Sequence, residues 1–118
     1  MMKLTEMQFN EAQPVDGYGP GYFRIGGQRV DGGILLTASK VRSWEGYADV
    51  ENLLSLQGNV DVIFIGTGAE ISHLPTDLRE RIEKAGMGVE IMNSPAACRT
   101  YNVLAAEGRR VALAALPV

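Results

Sequence analysis

Apolar and polar positions change rhythm once along the chain, near Val60. Before it, short β-like runs are punctuated by glycine. "YFRI" (22–25) and "QRV" (28–30) flank Gly26-Gly27, a dipeptide that can supply the positive φ of a two-residue hairpin turn. Asp31-Gly32-Gly33 marks the next turn, followed by "ILLT" and "VRSWE". These runs predict a small antiparallel meander, and Asp49 to Leu56 predicts a short helix or turn. After Val60 the pattern alternates between strand and helix. "VDVIFI" suits a strand buried on both faces. "TDLRERIEKAG" places Leu78, Ile82 and Ala85 at helical spacing, with Gly86 as a stop. "VEIM" is the next strand. "SPAACRTYNVLAAEG" predicts a helix with Ser94 as N-cap, Pro95 at its first position and Gly108 at its end. "RVALAAL" is the last strand. A β-α-β-α-β series of this kind implies parallel strand pairs covered by helices.

Composition narrows the class without naming a chemistry. The 118 residues suffice for one core, so a single domain over 1–118 is expected, with 1–15 as a loosely ordered N-terminal segment. A net charge of −3 with scattered basic residues argues against nucleic acid or an anionic membrane surface as partner. One cysteine makes no internal disulfide, which fits a reducing compartment. "MMKLTEMQFNEAQP" has neither the apolar core of a signal peptide nor the character of a transit peptide. "VALAALPV" is too short for a membrane span. The expected setting is the cytoplasm.

Several residues could carry chemistry. Gly66-Thr67-Gly68 follows a strand, as a phosphate-cradling loop would, but a dinucleotide fingerprint needs a third glycine where Ile71 stands and an immediate helix. Pro75 delays that helix, and Glu90 lies inside a strand rather than at its end. The loop therefore reads first as a sharp strand exit. Cys98, near a helix start, would need a lowered pKa to act as a nucleophile; its place at the edge of the Ala97–Tyr101–Leu104–Ala105 arc suits a small hydrophobe better. His73, the one histidine, makes no zinc site by itself, although a dyad with Cys98 is geometrically open. Tyr101 belongs to the apolar arc, with a hydroxyl that should find a partner at its edge. Asn102, at the margin of that arc, can bond a loop backbone or a ligand.

Topology gathers some of these. Gly66-Thr67-Gly68 and Asn93-Ser94 follow consecutive parallel strands, so both loops should sit at the carboxyl edge of the sheet, where ligand crevices of open α/β sheets form. The helix N-terminus after Ser94 would favour a small anion there. The candidate ligand-binding set is Gly66, Thr67, Gly68, Asn93, Ser94, Cys98 and Asn102, with no catalytic residue, metal or cofactor assigned. Arg109 and Arg110 should lie at the far edge, on a surface that is solvated or partner-binding.

The segments "GYGPGYFRIGG", "IFIGTGAE" and "GVEIMNSPAACRTYNVLAAEGRRVALAALPV" resemble the Mth-938-like domain family, from about Asp16 to the last residue. Ile65-Gly66-Thr67-Gly68 and Thr100-Tyr101-Asn102 are the most specific blocks. The resemblance implies a three-layer α/β domain around a central mixed sheet and no established reaction or cofactor. It also implies eukaryotic relatives that include a mitochondrial complex I assembly factor and an adipogenesis-associated protein. Two functions follow as expectations. One is a non-enzymatic interaction or assembly factor with a protein partner, or one that self-associates. The other is a small anionic-ligand binder, or an enzyme, at the carboxyl-edge crevice.

Overall fold

Period-two alternation in the last strand organises the molecule. In the computed structural model, which describes residues 6–118, Val111, Leu113 and Ala115 face one apolar cluster, while Ala112 and Ala114 face another. The strand that carries them must therefore be covered on both sides. The elements are β1 (Glu6–Gln8), β2 (Val15–Gly19), β3 (Tyr22–Ile25), β4 (Gln28–Asp31), β5 (Ile34–Leu36), β6 (Lys40–Ser43), α1 (Val50–Leu54), β7 (Val62–Gly66), α2 (Thr76–Lys84), β8 (Gly88–Met92), α3 (Ser94–Ala106) and β9 (Val111–Ala115).

Six strands form a mixed sheet in the order β1-β6-β5-β9-β7-β8. β7 pairs in parallel with both β8 and β9, whereas β5, β6 and β1 join antiparallel. The α2 side of the sheet buries Leu53, Ile63, Ile65, Leu78 and Ile82. The other side is covered by α3 and by a separate antiparallel sheet, β2-β3-β4, which contributes Phe23, Ile25 and Val30. The three-layer α/β domain with a mixed central sheet is therefore the observed architecture.

The expected meander is divided between two sheets. Gly32, at φ +83°, turns the chain after β4, and β5 then crosses to pair with β9 instead of extending the hairpin. Gly33 lies against the Trp44 backbone carbonyl with no room for a side chain. Within the segment 1–15 expected to be loosely ordered, Glu6–Gln8 form β1, a strand missed by the pattern reading, whose Glu6 pairs with Arg42 at 3.0 Å, and Val15 opens β2; residues 1–5 lie outside the described residues. Among the described residues no helix is long and apolar enough to cross a membrane.

Candidate functional site

The parallel register aligns Gly66 with both Met92 and Ala115, so the segments that leave these three positions share the carboxyl edge of the sheet. Gly66 is glycine for a steric reason: a Cβ there would stand 2.7 Å from Ser94 Oγ and 2.8 Å from Ser94 Cα. This close approach brings the two predicted loops together. The Ser94 amide donates to the Gly68 carbonyl at 2.7 Å, and the Gly68 amide donates to Ser94 Oγ at 2.9 Å. Ser94 Oγ in turn donates to the Leu116 carbonyl at 2.6 Å, and the Leu116 amide donates to the Gly66 carbonyl at 2.9 Å. Ser94 is fully buried, and its hydroxyl joins three segments of backbone.

Helix α3 consequently begins differently from expectation. Asn93 is its N-cap and accepts the Ala96 amide through Oδ1 at 2.8 Å. Ser94 is free of that duty because its side chain turns inward to the strand exits. The sequence offers two competent capping residues in a row, and only tertiary contact separates them. Thr67 organises its own loop: Oγ1 donates to the Glu70 carbonyl at 2.7 Å and accepts the Ser72 amide at 3.1 Å. Gly68 takes φ +100°, a conformation that favours glycine. The segment 116–118 lies over this edge, with the Val118 carbonyl accepting the Gly21 amide at 3.2 Å.

The remaining candidates stand elsewhere. Cys98 is buried in the cluster between α3 and the sheet, and desolvation raises its thiol pKa from the ordinary 9.0 to about 12, against a smaller lowering by Arg99. A thiol so placed is protonated at neutral pH, the opposite of what a nucleophile needs. His73 is exposed in the loop before α2. Tyr101 is core as expected, but its hydroxyl is buried without a hydrogen-bond partner among the described residues, and burial pushes its pKa up. Asn102 faces the small sheet: Oδ1 accepts the Val15 amide and Nδ2 donates to the Val15 carbonyl, both at 2.9 Å. Gly66, Gly68, Asn93 and Ser94 are thus neighbours, whereas Asn102 serves a different junction. Among the described residues no group of three His, Cys, Asp or Glu side chains could hold a metal ion.

The chain is 46% identical over 99% of its length to an uncharacterised protein from Rhodobacter capsulatus, 94% of which is covered. It is 30% identical over 98% of its length to NADH dehydrogenase [ubiquinone] 1 alpha subcomplex assembly factor 3 from Rattus norvegicus, of which it spans 66%. Its fold matches the crystal structure of an outer membrane protein from Bartonella henselae, at 33% identity and TM-score 0.84, covering 93% of this chain and 98% of that one. It also matches the solution structure of an Mth938-like domain from Bordetella pertussis, at 29% identity and TM-score 0.74, covering 98% and 92%. The family model described as protein of unknown function (DUF498/DUF598) matches residues 15–116, and with the same fold in the Mth938-like domain the chain belongs to that family.

Proposed function

We propose that the protein is a non-enzymatic interaction or assembly factor, acting in the cytoplasm, that takes an extended segment of a partner protein along the outer edge of β8. The observation that carries this reading is the position of β8 as the last strand of the six-stranded sheet. The Gly88 amide and the Met92 carbonyl both bond toward β7, at 2.8 and 2.9 Å. By strand alternation the backbone groups of Val89 and Ile91 point outward. Such an edge is a template for strand addition.

Glu90 occupies the middle of β8 and is exposed. Two copies pairing antiparallel about this position would set Glu90 against Glu90, which is unfavourable. A partner strand with Lys or Arg opposite Glu90 fits better. The kinship with a complex I assembly factor, and a cysteine held protonated by burial, support a binding role over catalysis. In the alternative reading, an anion held by Gly66, Thr67, Gly68, Asn93 and Ser94 would have to displace the segment 116–118 and the bonds it makes.

Ile91→Pro tests the edge. Proline is tolerated on an edge strand where its missing amide would have faced outward, so the variant removes a docking donor without breaking a ladder bond. Affinity purification from native extract should recover a protein with wild type and at least tenfold less with the variant. In the complex, amide exchange at Val89 and Ile91 should slow. Recovery of no partner, or equal recovery by a folded variant, overturns the reading. Cell fractionation tests the compartment directly, since one structural relative is described as an outer membrane protein.

A further inference from the structure

The end of the sheet opposite Gly66 carries a pocket of about 450 Å³. Its walls are the β5–β6 turn, the segment that follows α1, and the exit from α3 into β9. Among the described residues four cationic side chains line it, Lys40, Arg42, Arg109 and Arg110, and no carboxylate does. Two of these are already neutralised. Arg42 pairs with Glu6 at 3.0 Å and Arg110 pairs with Asp61 at 3.4 Å. Arg42 is further held by Asn52 Oδ1 at 2.9 Å, and Arg110 by the Gly58 carbonyl at 3.0 Å.

Lys40 and Arg109 differ. Neither side chain has an ion pair or hydrogen bond among the described residues. Among the described residues, then, the pocket holds two uncompensated positive charges, in a chain whose net charge is −3. The carboxyl end of α3 also points this way and opposes an anion. Its carbonyls are largely satisfied, however, since those of Leu104 and Ala105 accept the amides of Arg109 and Gly108 at 3.0 Å each. Thr37, Ser39 and Asn59 add neutral donors at the wall, and buried Leu56, Val60 and Val111 supply an apolar floor.

We propose that this pocket binds a small phosphomonoester with an apolar body. A phosphomonoester carries a charge of about −1.5 to −2 near neutral pH, which matches the two free cations, whereas a monocarboxylate would leave one of them unpaired. Arg109 offers the planar fork and Lys40 the mobile point charge that phosphate oxygens accept. The volume falls within the usual range of small-ligand sites, about 300–1,000 Å³. The pocket shares no residue with β8, so it stands or falls independently of the strand-docking reading.

The test is a 15N–1H NMR titration of the whole chain with phenyl phosphate, inorganic phosphate and phenylacetate. Phenyl phosphate should give saturable shifts confined to the amides of 37–40 and 108–111. It should bind at least tenfold more tightly than phenylacetate, and more tightly than inorganic phosphate because the ring uses the apolar floor. Lys40→Met/Arg109→Met should weaken phenyl phosphate at least tenfold while the rest of the spectrum stays in place. Each single variant should show a smaller loss, which keeps the test decisive if the double variant changes the fold. No saturable shift at millimolar concentration, equal binding by the variants, equal binding of phenylacetate, or shifts that map to Gly66–Gly68 would each overturn the assignment.

Discussion

Asn102 offers the sharpest test of how this fold is tied together. Among the described residues the β2-β3-β4 sheet shares no backbone ladder with the six-stranded sheet, so apolar packing and a few polar ties hold it in place. The Asn102 amide imitates a strand partner: it both accepts from and donates to the backbone of Val15, at 2.9 Å each. Asn102→Ala strands an amide and a carbonyl on a residue that is only 7% exposed. Each unsatisfied buried group costs about 1–3 kcal/mol, and water entering the vacated space recovers part of that. The expected loss is therefore about 2–3 kcal/mol, equivalent to a Tm lowered by roughly 6–18 °C for a domain of this size.

Urea unfolding followed by circular dichroism measures the loss, provided the slope against denaturant is unchanged. Asn102→Asp refines the test. At neutral pH it keeps the acceptor but turns a carboxylate oxygen toward the Val15 carbonyl, so it should cost at least as much as alanine. The crowded carboxyl would titrate above its unfolded value of about 3.9. Its stability deficit should therefore shrink as pH falls through that raised pKa, where an O–H can donate to Val15, and grow again as pH rises. Amide exchange should accelerate at Val15 and along β2 before it does in β7. A loss below about 0.5 kcal/mol for Asn102→Ala, or exchange that quickens uniformly, refutes the tie, since surface changes reach only that size.

Gly66→Ala drives a Cβ to 2.8 Å from Ser94 Cα, a backbone atom that cannot yield as a flexible side chain would, so stability should fall by about 1–3 kcal/mol; calorimetry showing no loss refutes the close approach. Tyr101→Phe removes a buried hydroxyl that lacks a partner, so stability should hold or rise by up to about 1–2 kcal/mol; a loss above about 1 kcal/mol in urea would mean the hydroxyl is bonded. Cys98, held at about 12 against an ordinary 9.0, favours its protonated form in the folded state. Its contribution is complete below pH 9.0 and declines as pH rises toward about 12, because only the unfolded chain loses the proton across that window. Native protein should resist a thiol reagent that labels it in denaturant, and Cys98→Ala should flatten the alkaline fall; rapid native labelling at pH 8 would refute the burial.

The second half of the fold was legible because its signals are local. Leu78 and Ile82 mark the buried face of α2, Pro95 and Gly108 bracket α3, and uninterrupted apolar runs mark β7 and β9. The first half was legible as strands but not as sheets. Whether β5 continues a hairpin from β4 or crosses to β9 depends on the alignment of Leu36 with Leu113, a pairing between residues far apart in sequence. β1 was missed because three residues with one half-buried methionine carry too short an alternation to register.

The candidate site shows the same division in sharper form. Parallel register made it possible to infer that Gly66–Gly68 and Asn93–Ser94 share an edge, and the contact between Gly68 and Ser94 follows from that register. What covers the edge was not inferable, because the segment 116–118 reaches Ser94 and Gly21 only after β9 has crossed the sheet beside β7. Sequence reasoning likewise placed Arg109 and Arg110 at the opposite end without seeing that Lys40 and Arg42 come to meet them there. Each cation is unremarkable in its own segment; the pocket exists because β5–β6 and the α3–β9 exit converge at the amino end of the parallel strands. The Thr67, Gly68 and Ser94 amides at the carboxyl edge are spent on closing the fold, while Lys40 and Arg109 at the other end have no ion pair among the described residues. The proposed phosphomonoester site therefore rests on free charge brought together by tertiary contact, a feature that no single segment of the sequence displays.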